Sequence, residues 1–268
     1  MNLKEILEKH EIWLNEEQGG ERADLRYANL RDADLSDTNL WNADLRYADL
    51  RDANLRYANL SDTNLTGANL TDADLRNTDL TGADLKDAYL KDADLRDANL
   101  RYADLRYADL RYANLTGANL RNTDLMNADL KNTELMNADL RDANLRYADL
   151  TGIKTNVYTI GYNLACPEEG SFIGYKKAGK YLVKLLILKD SKRSSATTSK
   201  CRCDKAKVLN IEDIITGLKV MEVSSDYNPE FIYRVGEIVA VDNFDDNRWN
   251  ECAPGIHFFM NRENAINY

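Results

Sequence analysis

Apolar positions recur every five residues over nearly half of this chain. Leucine stands at each fifth position from Leu25 to Leu150 without a gap. Two residues before each leucine is alanine, or threonine at Thr38, Thr63, Thr78, Thr123 and Thr133. Asp or Asn stands between the two, except at Tyr89 and Glu134. A helix of about 3.6 residues per turn would spread these leucines around its whole circumference. A flat strand would throw successive leucines onto opposite faces. A ribbon that turns a corner once per unit satisfies the pattern: Leu and Ala point inward and the polar residue between them points outward. The two remaining positions vary, and Asp, Asn and the glycines Gly67, Gly82, Gly117 and Gly152 suit a corner conformation.

The inward leucines, with Leu25, Leu45, Leu65, Leu85, Leu105, Leu125 and Leu145 as one column, form the expected core. Each contributes about 1.5–3 kcal/mol of burial against chain entropy. A threonine in the alanine place must bond its hydroxyl to a nearby carbonyl or lose stability. Such a coil exposes backbone and leucine at each end and needs caps. Residues 2–15 predict a helix, with Leu3, Ile6, Leu7, His10, Trp13 and Leu14 on one face and Gly19-Gly20 stopping the segment. The helix is read as a cap over the first coil, placed by Leu3, Ile6, Leu7 and Trp13, and His10 as a packed residue, not a ligand.

The register breaks after Gly152, and the composition changes. Residues 156–163, 171–176, 181–188, 203–211, 230–241 and 256–260 read as short strands, with 261–268 as a final helix. Three parts follow: a helical cap over 1–22, the repeat over 23–152, and a small β-rich or α+β domain over 153–268.

The unit A(D/N)Lxx, as in Ala23-Asp24-Leu25-Arg26-Tyr27, resembles that of the pentapeptide repeat proteins. The resemblance implies a right-handed quadrilateral β-helix of 20 residues per coil. Residues 23–152 would then give about 6.5 coils and a rod roughly 31 Å long. The C-terminal part, through Lys192–Cys203 and Asn247–Phe259, resembles a domain of unknown function carried by pentapeptide repeat proteins of phage and gut-bacterial type.

Some members of the repeat family are thought to imitate duplex DNA and occupy type II topoisomerases, and charge tests that idea here. Residues 23–152 hold 24 acidic and 16 basic side chains, net −8. That is about one net charge per 4 Å of rod, against one per ~1.7 Å of duplex. The Asp column Asp32, Asp52, Asp72 and Asp92 has cations beside it and reads as a salt-bridged face. A second column sets Tyr27, Tyr47, Tyr107 and Tyr147 beside Arg26, Arg46, Arg106 and Arg146, a composition that protein-recognition surfaces favour. The whole chain carries −10, which disfavours nucleic acid and anionic membranes as partners. Residues 176–207 are strongly basic and 208–251 acidic, so internal pairing is expected.

No apolar run is long enough to span a membrane, and the N-terminal residues lack the apolar core of a secretory signal. Four cysteines do not make a disulfide scaffold, so a cytoplasmic chain with reduced thiols is expected. The repeat has neither His nor Cys. The one ligand-like set is Cys201 and Cys203 with Cys252 and His257, three sulfurs and an imidazole for a tetrahedral zinc, although C-x-C is not the usual knuckle spacing. Cys166 or Cys252 with His257 is the corresponding nucleophile–base set. Nothing in the sequence orients either. The chain therefore reads as a non-enzymatic scaffold or protein-interaction module without a cofactor. Duplex mimicry is the alternative, and a metal-binding or enzymatic C-terminal domain a second one.

Overall fold

A computed structural model describes residues 2–250 and 253–268. The chain divides into two compact units, Met1–Tyr162 and Asn163–Tyr268.

The first unit opens with helix α1, Leu3–Leu14, whose N-cap Asn2 accepts a hydrogen bond from the Glu5 N–H. Beyond it the backbone forms a mainly β coil. Parallel bridges join Asp24 to Asp44, Asp44 to Asn64 and Asn64 to Asp84, and the same spacing of twenty persists to Glu134 and Lys154. Four five-residue units thus make one turn of a β-helix. From Leu25 to Leu140 each inward leucine N–H donates to a carbonyl of the next turn, as Leu25 does to Asp44 (2.8 Å), and the return bond runs from the Asp44 N–H to the Ala23 carbonyl (3.0 Å). Within each unit the N–H of the next inward residue closes a tight turn on the leucine carbonyl, as Ala28 does on Leu25 (3.1 Å). The second residue after each leucine takes a positive φ, near +58° at Tyr27, Tyr47 and Asn42. Gly67 shows how neighbouring corners share space: the Tyr47 ring occupies the place its Cβ would take.

The interior is as the pattern requires. Every leucine from Leu25 to Leu145 is buried, and only Leu150, at the far end, is half-exposed. The inward threonines satisfy their hydroxyls in two ways. Thr38 and Thr63 donate to the leucine carbonyl three residues back (2.6 Å), whereas Thr78, Thr123 and Thr133 reach a leucine carbonyl of the previous turn.

The coil also runs past the break expected at Gly152. Lys154 bridges Glu134 and Ile160 bridges Asp139, a spacing of 21, so one extra residue is accommodated in the last turn. Thr159 bonds the Leu135 carbonyl (2.9 Å) as the other inward threonines do. Residues 156–163 are therefore turn and bridge, not a strand, and the unit boundary falls near 162 instead of 153. The insertion hid this from a strict five-residue period.

Helix α1 is stitched to the segment leading into the coil. The Glu21 N–H donates to the Lys9 carbonyl (3.1 Å), and the Ala23 N–H donates to Nδ1 of the fully buried His10 (3.1 Å). Trp13 stacks between His10 (5.4 Å) and Trp41 (5.7 Å). Leu3, Ile6, Leu7 and Trp13 are half-buried.

The second unit is α+β. A seven-stranded antiparallel sheet comprises β1 Phe172–Ala178, β2 Tyr181–Ile187, β3 Arg193–Ser195, β4 Lys200–Cys203, β5 Lys205–Asp213, β8 Ile238–Ala240 and β9 Ile256–Phe259. Its order is β3-β4-β9-β1-β2-β5-β8, and β6 Glu222–Ser224 with β7 Ile232–Arg234 forms a separate hairpin. One face carries Val183, Leu185, Ile187, Val208, Ile211 and Phe258. The other packs Leu182 and Phe259 against Ala265 of α2, Arg262–Asn267. The expected strand over 230–241 divides into β7 and β8 at the turn through Gly236. The pattern missed the hairpin of β3 and β4, whose Ser, Lys and Arg side chains show no apolar alternation, and the short β6, which has Val223 as its one apolar residue.

Two outcomes test this fold. Leu85→Ala empties a packed position and is expected to cost about 3–5 kcal/mol, whereas Leu150→Ala at the half-exposed end should cost under about 1.5 kcal/mol, both read by urea denaturation with local hydrogen exchange. The second concerns His10, whose pKa is held below 6.5 by burial and by the nearby Arg22. Its contribution is complete above pH 6.5 and lost as the pH falls through the depressed value, since protonation costs Nδ1 its bond from Ala23. Near-UV dichroism from the Trp13 stack should therefore begin to fall below pH 6.5 in the natural chain, and earlier than any change in the coil's far-UV signal.

Candidate functional site

The outer surface of the coil is built from the two variable positions and the Asp or Asn between the inward pair. That Asp or Asn supports the backbone, because its Oδ1 accepts the N–H two residues on, as Asp24 does from Arg26 (3.3 Å) and Asn64 from Thr66 (3.0 Å). When the residue is Asp and an arginine follows, the guanidinium also forks onto the carboxylate. Arg26 with Asp24, Arg46 with Asp44, Arg106 with Asp104 and Arg111 with Asp109 show the same two-pronged contact at 2.5–2.8 Å. The Arg26 fork holds the Asp24 carboxyl at about 2, below its ordinary 3.8. Hydrogen bonds from Arg46 and Arg111 likewise hold Asp44 and Asp109 down.

When the residue is Asn, the unit itself offers no carboxylate; Arg31, after Asn29, takes Asp52 of the next turn instead (3.2 Å), and four other arginines behave differently. Arg56, Arg101 and Arg146 follow Asn54, Asn99 and Asn144, and each lies over the ring of the next tyrosine: Tyr57 (5.4 Å), Tyr102 (5.2 Å) and Tyr147 (5.1 Å). Arg121 follows Asn119. The Nε atoms of all four are buried without a hydrogen-bond partner. Arg101 and Arg121 sit one turn apart in one column, and among the described residues neither makes an ion pair.

This changes the standing of the predicted stripe. Tyr27, Tyr47, Tyr107 and Tyr147 are all exposed and share a column, but only Tyr27 and Tyr47 stack, at 5.3 Å. Gly67, Asp87 and Asn127 interrupt the rest. Of the stripe's arginines, Arg26, Arg46 and Arg106 already have a carboxylate, and Arg146 does not. A second aromatic grouping was not singled out in the sequence. Tyr89 lies mid-side on one turn, bridged to Asp109, and the exposed Tyr107 and Tyr112 stand at the corners on either side of Asp109 on the next turn. The signal for it was Tyr89 itself, one of two exceptions at the Asp/Asn position.

Among the described members of the ligand-like set, Cys201 and Cys203 do not converge with His257. Cys201 and Cys203 of β4 pair with Phe258 and Ile256 of β9, while Arg202 pairs with His257. Directly opposed residues share a face of the sheet, so both sulfurs point into the core and the imidazole to the opposite side. Cys252 lies outside the described residues, and among those described no three potential ligands cluster. Hydrogen bonding with Cys166 and burial push the Cys201 thiol up, and burial does the same to Cys203. His257 Nε2 contacts the Ala253 carbonyl (3.1 Å), and burial lowers its pKa to about 4. The imidazole thus lies on the face away from the thiols.

The basic stretch is largely consumed internally. Lys180 pairs with Asp213 (3.2 Å) and Lys192 with Asp246 (3.0 Å). The buried Arg202 holds the Asp245, Pro254 and Asn247 carbonyls, and Arg193 holds those of Gly170 and Leu188. In the second stretch Arg248 donates from Nε to the Ser195 carbonyl (3.0 Å), so both stretches that carried the C-terminal resemblance serve the fold through their arginines.

Comparison with known proteins agrees with this architecture. Five segments that together span residues 21–154 match the model for pentapeptide repeats (8 copies), and residues 162–265 match a family of unknown function, DUF5758. Among solved structures, HetL, a pentapeptide repeat protein involved in heterocyst differentiation regulation from Nostoc sp. strain PCC 7120, is 36% identical over 50% of this chain and 70% of its own (TM-score 0.37). Rfr23, a pentapeptide repeat protein from Cyanothece 51142, is 41% identical over 35% of this chain and 61% of its own (TM-score 0.25). QnrB1, a plasmid-mediated fluoroquinolone resistance protein, is 21% identical over 50% and 78% (TM-score 0.33). No curated protein sequence matches the chain.

The fork between Arg26 and Asp24 is directly testable. Arg26→Gln should return the Asp24 carboxyl from about 2 toward 3.8 in an NMR pH titration, with the Ala23–Leu25 backbone shifts unchanged.

Proposed function

The chain belongs to the pentapeptide repeat family, and from that premise we propose that it is a non-enzymatic scaffold whose coil presents a fixed surface to a protein partner. We take the coil to be right-handed and four-sided, of about 6.5 turns over residues 23–152, with residues 1–22 as its cap. The single observation that carries the reading is the pair Arg101 and Arg121. They stand one turn apart and lack the carboxylate that their Asp-preceded counterparts have, and the Arg101 guanidinium lies over Tyr102. A partner segment bearing carboxylates satisfies them, and the coil loses little conformational entropy on binding. Arg146 with Tyr147, and the group Tyr89, Tyr107 and Tyr112, extend the surface. The free thiols of Cys166, Cys201 and Cys203 suit a reducing, cytoplasmic setting.

Duplex mimicry is the weaker reading. A mimic needs exposed, unneutralised carboxylates at phosphate density, and here many of the Asp side chains are forked by arginine. An enzymatic or zinc-binding second unit has no converging residues to support it among those described.

Affinity capture from the native host tests the proposal. The partner recovered with the natural chain should be lost at least tenfold with Arg101→Glu/Arg121→Glu, whose core positions are untouched, and retained when residues 163–268 are deleted. Equal recovery by the double variant would refute the assigned surface. Gyrase supercoiling should be unaffected at micromolar protein.

A further inference from the structure

The sheet of the second unit is incomplete at one place. Strand β9 pairs with β4 along its whole length, Ile256 to Phe259, but meets β1 at a single register pair, Tyr175 with Phe259. Beyond that pair the two strands part. A cavity of ≈ 380 Å³ opens there, and a smaller one of ≈ 240 Å³ shares Lys176, Tyr227, His257 and Tyr268 as walls.

The lining has a consistent chemistry. Tyr227, Phe231, Tyr233 and Tyr268 present aromatic rings. Two ammonium groups enter, from Lys176 on β1 and Lys200 on β4. Lys200 lies over the Tyr268 ring at 5.3 Å and reaches its hydroxyl at 3.4 Å. Lys176 is the deeper cation: among the described residues its Nζ has neither a hydrogen bond nor an ion pair. Burial lowers its pKa from 10.5, against the opposing pull of the Asp226 carboxylate in the wall of the smaller cavity, which is itself held by the Gly179 N–H (3.0 Å). An amine in that position gains most from an anion delivered into the cavity. Two further groups set orientation. His257 has its Nε2 committed to the Ala253 carbonyl and is neutral at pH 7, which leaves Nδ1 as an acceptor. The phenol of Tyr233, pushed up by burial, stays protonated and is a donor.

We propose that this cavity is a binding site for a small aromatic anion, its negative group held by Lys176 and Lys200 and its ring by the surrounding tyrosines and Phe231. The volume lies in the lower part of the range for small-molecule sites, about 300–1,000 Å³, and admits one or two fused rings with one acidic group. All the lining residues belong to the second unit.

The probes are 8-anilinonaphthalene-1-sulfonate and its uncharged analogue N-phenyl-1-naphthylamine, titrated by fluorescence into the full chain. The expected result is saturable binding of one sulfonate per chain, with the uncharged analogue at least tenfold weaker. Lys176→Met should weaken the sulfonate at least tenfold while leaving the uncharged analogue within threefold. Tyr268→Ala, at a mostly exposed residue whose ring lies against Phe259 (5.2 Å), should weaken both at least threefold. If Lys176→Met fails to fold, Lys200→Met with Tyr268→Ala replaces it, with the same loss expected for the sulfonate. Absence of saturable binding, or sulfonate affinity unchanged in the folded variants, would overturn the assignment.

Discussion

The left-handed corner is the constraint on which the repeat unit depends. Five residues close one side of the coil only because the second residue after each leucine takes a φ near +58°. For an L-residue other than glycine this costs roughly 1–2 kcal/mol. Asp and Asn lower the cost with local hydrogen bonds, but Tyr does not, and Tyr27, Tyr47, Tyr57, Tyr102, Tyr107, Tyr112 and Tyr147 all occupy it. What offsets the strain is repetition. Each side buries a leucine and exchanges backbone hydrogen bonds with its neighbours, so every corner is fixed from both sides. A tyrosine at such a position is held at its Cα by the coil and is free only at its ring.

The Asp/Asn choice has a second consequence. Both side chains accept the same backbone N–H, so the coil is indifferent to which is present. The surface is not indifferent. Asp ties the following arginine into a neutral pair, and Asn withholds that partner: Arg101 and Arg146 then lie over a ring, whereas Arg31 pairs with Asp52 one turn on. At Arg101 and Arg121 the exchange of oxygen for nitrogen leaves a cation available to a partner. The coil's net charge is a poor guide to its binding surface for this reason, since Arg101 and Arg121 are indistinguishable from Arg106 and Arg111 in any count.

The repeat was legible in the sequence to a degree rare for a fold because each unit repeats one physical solution: Leu and Ala inward, Asp or Asn on the backbone, a corner after. Even the threonine hydroxyls went where burial requires. What escaped was aperiodic. The extra residue before Ile160 shifts the register by one and ends the visible pattern a half-turn early. In the second unit, β3 and β4 lack apolar alternation because their buried Ser195 and Arg202 are satisfied by hydrogen bonding, not by apolar contact, and a two-residue pattern cannot see that. The proposed zinc set was a matter of spacing, and spacing cannot say that His257 faces away from the sulfurs. The pairing of Arg101 with Tyr102 was visible as adjacent letters, but its meaning came from Asn99, two positions upstream.

Stacking by twenty also makes the coil a ruler. Adding or deleting one whole turn changes its length by about 4.8 Å and leaves every remaining corner in its column, whereas any other change rotates the columns against one another. The distance between Arg101 and Arg121 is therefore one graduation, and that from Arg101 to Arg141 two. A partner that reads this surface must carry its own contacts at multiples of the same interval, close to the spacing between neighbouring strands in its own sheets.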